Sequence, residues 1–191
     1  MTPHPIEVES YRIMAERVDL SSWPPLARAV VARMIHASAD VEYASGARLT
    51  DDAVAAGVDA VRAGAPVICD SQMVRVGITG IPATCLLDEI PVTPTGSTRA
   101  AAAIRLAARR HPDGAVFVVG NAPTALAALL EMPLRPALVV GLPVGFVGAA
   151  EAKAALRASG WPSITNIGEK GGSAVAAAAV NALVRLAKEQ P

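Results

Sequence analysis

Five short apolar runs alternate with longer helix-like segments, and this alternation limits the chain to a few folds. Each run is followed by Gly, Pro or polar residues, and the runs span residues 66–69, 83–87, 115–119, 137–140 and 163–167. Such runs are typical of strands buried on both faces. Helical spacing of apolar residues marks the segments 51–63, 97–110, 123–131, 149–159 and 173–188. Strands that alternate with helices predict an α/β fold, a mostly parallel sheet covered on both faces.

Two further helix-like segments, residues 6–18 and 25–36, precede the first predicted strand. Trp23-Pro24-Pro25 separates them, since proline interrupts a helix. The 191 residues, 52% of them hydrophobic, suffice for a substantial core without disulfides or metals. We therefore expect a single domain over residues 1–191 with extra N-terminal helices.

The charge balance argues against nucleic acid and membrane partners. Lys+Arg and Asp+Glu both number 17, no basic block is visible, and aromatic residues make up only 3% of the chain. The uncharged stretches 114–130 and 171–184 fall short of a transmembrane helix, which needs about 20 apolar residues. Only two cysteines occur, and no signal-peptide pattern precedes them, so we expect a cytoplasmic location.

The loops after the strands are the first place to look for a ligand site. In an open parallel sheet, ligands bind beyond the carboxyl ends of the strands. Four of the loops are rich in Gly and small polar residues: 70–74, 120–124, 141–148 and 168–173. Glycines let backbone N–H groups approach carboxylates or phosphates. The alternative is that tight strand-to-helix turns need Gly and Pro for their geometry alone.

Known cofactor and metal motifs are missing from the sequence. It contains no P-loop, and the glycines of 141–148 do not have dinucleotide-binding spacing. His4, His36 and His111 stand far apart, and Cys69 and Cys85 form no C-x-x-C. We expect neither a metal nor a cofactor.

His36 and Arg99 are the individual side chains that most suggest chemistry. His36 ends a predicted helix, and an imidazole there can exchange a proton with a ligand, although a purely structural histidine is commoner. Arg99 falls in the first turn of a helix, against the helix dipole, so it either holds a ligand carboxylate or lies in solvent. Cys69 paired with His36 as a nucleophile is an alternative, but a cysteine ending a buried strand is usually a small core residue.

Longer motifs follow one another in order along nearly the whole chain. They are IEVESYR (6–12), RMIHASAD (33–40), GAPVICD (64–70), TRAAA (98–102), GNAPTA (120–125), GLPVGFVGAAE (141–151) and GGSA (171–174). Together they resemble the precorrin-8X methylmutase family, also called precorrin isomerases, of cobalamin biosynthesis.

The resemblance implies a flavodoxin-like, three-layer αβα fold with a five-stranded sheet, and a homodimer with active sites at the subunit interface. It implies a cofactor-free methyl migration on a tetrapyrrole, from precorrin-8X to hydrogenobyrinate or from cobalt-precorrin-8 to cobyrinate. His36 matches the family's proton donor, and Ser10 and Arg99 match positions that line or support the site. The substrate-binding candidates are Ser10, Asp70, Thr79, Arg99, Asn121, Thr124, Gly145, Gly171, Gly172 and Ser173.

Two features depart from the family pattern. The segment 88–96 is short, and Gly80 stands where the family usually has Arg. Both changes concern substrate anchoring or dimer contacts. They leave open a family member with weakened or redirected activity. The alternative function is a non-catalytic tetrapyrrole-binding protein on the same scaffold, although the presence of His36 argues against it.

Overall fold

A six-stranded sheet forms the centre of the molecule in the computed structural model, which describes residues 4–189. The strands are β1 (Ala47–Arg48), β2 (Val67–Cys69), β3 (Thr84–Cys85), β4 (Val116–Val119), β5 (Leu138–Gly141) and β6 (Ser163–Asn166). Their order in the sheet is β1-β6-β5-β4-β2-β3. The last five run parallel to one another, and β1 runs antiparallel to β6.

Helices connect the strands and precede them. They are α1 (Pro5–Arg17), α2 (Pro25–Ser38), α3 (Tyr43–Gly46), α4 (Asp51–Arg62), α5 (Gln72–Gly77), α6 (Arg99–Arg110), α7 (Pro123–Leu130), α8 (Ala149–Ala158) and α9 (Ser173–Glu189), with a 3₁₀-helix at Leu87–Glu89. Among the described residues, none of these helices is long and apolar enough to cross a membrane.

Alternate residues of each central strand face opposite helix layers. Val116 and Val118 of β4 pack in one core with α2, α4, α5 and α9, whereas Phe117 and Val119 pack in another with α6, α7 and α8. Because side chains alternate across a strand, four consecutive buried residues serve both cores. The predicted three-layer αβα fold is confirmed. The five parallel strands have the flavodoxin-like order, in which the second strand lies outside the first.

The strand count was predicted as five, and the structure has six. The additional strand β1 has only two residues, which pair with the sheet edge as Ala47 with Asn166 and Arg48 with Thr165. Nothing in its composition indicates a strand, because the pairing depends on the neighbouring edge and not on an apolar run. The predicted run 83–87 is also shorter than expected, since Leu87 already begins the 3₁₀-helix.

Hydroxyl side chains cap the helices that begin near the carboxyl edge of the sheet. Ser71 accepts a hydrogen bond from Val74 N at the start of α5, and Thr98 accepts one from Ala101 N at the start of α6. Each such cap stabilises a helix by about 1 kcal/mol. The caps therefore hold the first turns of these helices where the strands end.

Candidate active site

His36 is held by two residues of the first helix. Its Nδ1 lies 2.9 Å from Ser10 Oγ, and its ring stacks on Tyr11 with centroids 4.9 Å apart and planes 10° apart. The hydrogen bond and the stacking together set the orientation of the imidazole. Since Ser10 engages Nδ1, proton exchange with a ligand falls to Nε2.

A cavity of about 340 Å³ opens beside His36. Small side chains of α2, α5 and α9 form much of its wall: Ala37, Gly77, Ala174, Ala177 and Ala178. Arg33 and Asn181 also line it, and both residues line a second cavity of about 940 Å³ as well. The shared walls make the two cavities neighbours, with His36 at the smaller one.

Asn181 joins α9 to the segment that follows α5. Its Oδ1 accepts a hydrogen bond of 2.9 Å from Thr79 N, and its Nδ2 donates one of 2.9 Å to Gly77 O. This carboxamide therefore fixes the wall between the two cavities. Sequence reasoning predicted Thr79 and missed Asn181, although a lone amide in the Ala-rich segment 173–184 is a usable signal.

Asp70 lies at the point where the strand order reverses, between β2 and β4. Its side chain is 1% exposed, and it accepts three backbone hydrogen bonds, from Gly120 N (3.0 Å), Asn121 N (2.9 Å) and Ala122 N (2.7 Å). Burial raises the pKa of the Asp70 carboxyl, although these donors lower it. The carboxylate thus holds the loop after β4.

The loops after β5 and β6 are bonded to each other. Gly145 N donates to Glu169 O at 3.1 Å, and Gly172 N donates to Leu142 O at 2.9 Å. A Cβ on Gly171 would stand 2.3 Å from Leu142 O. Glycine is required at 171 because two backbone segments meet there.

Hydroxyl pairs connect the remaining loop residues predicted from the sequence. Ser173 Oγ lies 3.4 Å from Ser71 Oγ, and Thr124 Oγ1 lies 2.7 Å from Thr98 Oγ1. Ser173 directly precedes Ala174, which lines the His36 cavity. The start of α9 therefore links the loops at the sheet edge to that cavity.

Lys153 is a buried cation beneath the loop after β6. It has no exposed surface, and its Nζ donates to Asn166 Oδ1 at 3.0 Å and to the Lys170 carbonyl. Burial lowers its pKa to about 8. The ammonium holds the backbone immediately before Gly171, a role that sequence reasoning missed.

Arg99 contacts the short segment that departs from the family pattern. Its Nε donates to Leu87 O and Ile90 O, both at 3.0 Å, and its guanidinium lies 3.7 Å from the Asp88 carboxylate. The side chain is half-exposed and does not line either cavity. Arg99 thus fastens the start of α6 to this segment.

Cys69 has the properties of a core residue. It is 2% exposed, and burial raises its pKa to about 12, so the nucleophilic thiolate is strongly disfavoured. This argues against the Cys/His alternative. Within residues 4–189, no group of three or more His, Cys, Asp or Glu side chains is placed to hold a metal ion.

Comparisons with known proteins identify the family to which this chain is similar. A family model described as precorrin-8X methylmutase matches residues 5–186. The precorrin-8X methylmutase of Pseudomonas aeruginosa is 43% identical, over 92% of this chain and 91% of that protein. The cobalt-precorrin-8 methylmutase of Priestia megaterium is 40% identical, over 97% of this chain and 88% of that protein.

A solved structure described as precorrin-8X methyl mutase from Thermus thermophilus superposes with a TM-score of 0.86. It is 42% identical in sequence, and the match covers 96% of each chain. Sequence and structure therefore agree over nearly the full length. The chain belongs to the precorrin-8X methylmutase family.

Proposed function

We propose that the cavity beside His36 receives a precorrin, and that His36 donates the proton that assists migration of a methyl group between neighbouring carbons of the macrocycle. As a member of its family, the chain is an isomerase of cobalamin biosynthesis. The observation that carries the proton-donor assignment is the imidazole fixed by Ser10 and Tyr11 at a cavity wall.

A methyl shift within one molecule conserves every atom of the substrate. The bond from the methyl group to one ring carbon breaks as a bond to the neighbouring carbon forms, and the proton delivered by His36 is afterwards returned. Such a rearrangement needs a shaped site and a proton donor, and we expect no cofactor. A positioned acid typically contributes about 10²- to 10⁴-fold to the rate. Precorrin-8X would give hydrogenobyrinate, and cobalt-precorrin-8 would give cobyrinate.

The loops at the carboxyl edge of the sheet have a supporting part in this proposal. Asp70 holds the loop after β4, and Lys153 holds the turn that leads to Gly171. We infer that both act by positioning α9, whose residues Ala174 and Asn181 line the His36 cavity. Direct substrate contacts stay predictions for Thr79, Arg99, Asn121, Thr124, Gly145, Gly172 and Ser173.

A homodimer is also part of the proposal, because apolar side chains lie uncovered. Helix α1 carries Ser10 yet buries none of its own residues, and its Ile6 is 73% exposed. In the loop after β5, Phe146 is 92% exposed and Val147 is 87% exposed. A second copy of the chain would cover such surface. Light scattering should give twice the mass of the chain, and a Phe146→Ser/Val147→Ser variant should shift toward the monomer.

We further propose one domain over residues 1–191 and a cytoplasmic location. The family match over residues 5–186 and the single sheet support the first. Two cysteines that both remain free thiols support the second.

Absorbance spectroscopy tests the proposed reaction. Purified protein is mixed with precorrin-8X and, separately, with the cobalt-bearing precursor, and wild type is compared with His36→Ala. The matched control is His111→Ala, which removes a histidine at the end of α6. We expect conversion by wild type and by the control, and a rate at least about 100-fold lower for His36→Ala.

Near-wild-type conversion by His36→Ala would remove His36 as the proton donor. If wild type binds both compounds and converts neither, the protein is a tetrapyrrole carrier and the methylmutase proposal is wrong.

A further inference from the structure

The larger cavity is lined by both charged and apolar side chains. It lies between α1, α2, α9 and the segment after α5. Three cationic side chains line it, Arg33, Arg185 and Lys188, and only two carboxylates do, Glu7 and Glu189. The rest of the wall includes Ala29, Ala32, Ala182, Val184 and Leu186. Such a surface suits a ligand with an apolar edge and acidic arms.

The two carboxylates are engaged by the two arginines. Glu7 Oε1 accepts from Arg33 at 2.9 Å and from Arg185 at 3.4 Å, and Glu189 Oε1 accepts from Arg185 Nε at 2.8 Å. Arg185 and Glu189 are about half-exposed and Glu7 is partly buried, so water competes with both ion pairs of Arg185. A ligand carboxylate can therefore enter this cluster without breaking a strong buried ion pair.

Lys188 lies over a position that has no side chain. Its Nζ would stand 3.2 Å from a Cβ built on Gly80, whose φ of +82° is itself unfavourable for other residues. Within residues 4–189, the structure gives Lys188 no carboxylate partner. Lys188, in the last turn of α9, thus supplies a positive charge to the cavity wall beside Gly80, which has no side chain.

We propose that Arg185 and Lys188 form a carboxylate-binding subsite for the peripheral acetate and propionate arms of the macrocycle. The subsite deepens the proposed function and rests on it. It adjoins the cavity of His36 through the shared residues Arg33 and Asn181, so one large ligand can occupy both. Ammonium and guanidinium groups bind carboxylates through charge-assisted hydrogen bonds.

Titration with hydrogenobyrinate tests the subsite. Lys188→Gln, Arg185→Gln and the double variant each remove positive charge and leave a shorter, uncharged polar side chain. The control is Arg135→Gln. Arg135 is exposed, lies just before β5 and forms an ion pair with Asp113. We expect each single variant to weaken binding about 3- to 10-fold and the double variant more, because hydrogen bonds to charged groups on a partly exposed surface have this strength.

Turnover measurements separate this role from a structural one. The variants should raise KM and leave kcat at saturating substrate within about twofold, and the control should change neither. Hydrogenobyrinate binding equal to wild type in the double variant would overturn the subsite while leaving the methylmutase proposal intact. Failure of wild type itself to bind hydrogenobyrinate would overturn the subsite, whereas failure to convert either precursor would overturn the methylmutase proposal.

Discussion

Replacing Asp70 with alanine should destabilise the protein, because the carboxylate satisfies three backbone N–H groups of the loop after β4. Gly120 N is buried, whereas Asn121 N and Ala122 N are partly buried. In Asp70→Ala these donors lose their acceptor, and water reaches the buried Gly120 N poorly. The interaction spans 50 residues of sequence for Gly120, so no local contact replaces it.

The magnitude follows from the exposure of the three donors. A buried donor left unsatisfied costs about 1–3 kcal/mol, and the two donors that water partly reaches cost less. Removing the carboxylate offsets part of this loss of stability, because burial disfavours the ionised form and raises the pKa of the Asp70 carboxyl. We expect a net loss of about 3 kcal/mol in the free energy of unfolding, or about 6–12 °C in Tm for a chain of this size.

Urea unfolding followed by circular dichroism, at one fixed protein concentration, measures the loss. Asp70→Asn is the companion variant: it keeps one acceptor oxygen and the side-chain shape, and should lose about half as much. Hydrogenobyrinate affinity is then measured on the folded protein. A variant as stable as wild type that has lost ligand affinity would refute the positioning role and make Asp70 a direct substrate contact.

Three further predictions concern residues around the site. Ser10→Ala removes the hydroxyl that holds the imidazole and should lower kcat about 10-fold with little change in stability. Ser10→Thr keeps a hydroxyl and should recover part of the lost kcat. An unchanged kcat in Ser10→Ala would contradict the positioning role of Ser10. Gly171→Ala forces a Cβ against Leu142 O and should cost about 2 kcal/mol or more in urea unfolding, whereas Gly46→Ala, where nothing lies within 4 Å of the new Cβ, should be neutral. Burial lowers the pKa of Lys153 from 10.5 to about 8, so the unfolded chain holds more protons above pH 8 and the contribution of this residue to stability rises with pH. The stability of wild type relative to Lys153→Met should therefore increase by about 1–2 kcal/mol from pH 8 to 9.5, and a constant difference would show that the lysine is not desolvated.

The sequence predicted the main elements because their signals are local. The seven longer helices and the five parallel strands all coincide with segments recognised from periodicity and apolar runs. Helices α3 and α5, of four and six residues, were missed because so short a segment carries too few turns to show a period. Family resemblance pointed to His36, Ser10 and Arg99, but it indicated nothing of Tyr11 against the imidazole, of Asn181 or of Lys153.

Local burial is what the sequence determined by itself: which residues face a core, where helices begin, and hence the α/β class. Only the tertiary structure decided which side chains meet. Ser10 reaches His36 across 26 residues, and Asn181 reaches Thr79 across 102. Such contacts depend on the order of strands in the sheet and on how α1, α2 and α9 pack together. Periodicity records only whether a residue is buried, and the same pattern is compatible with many partners.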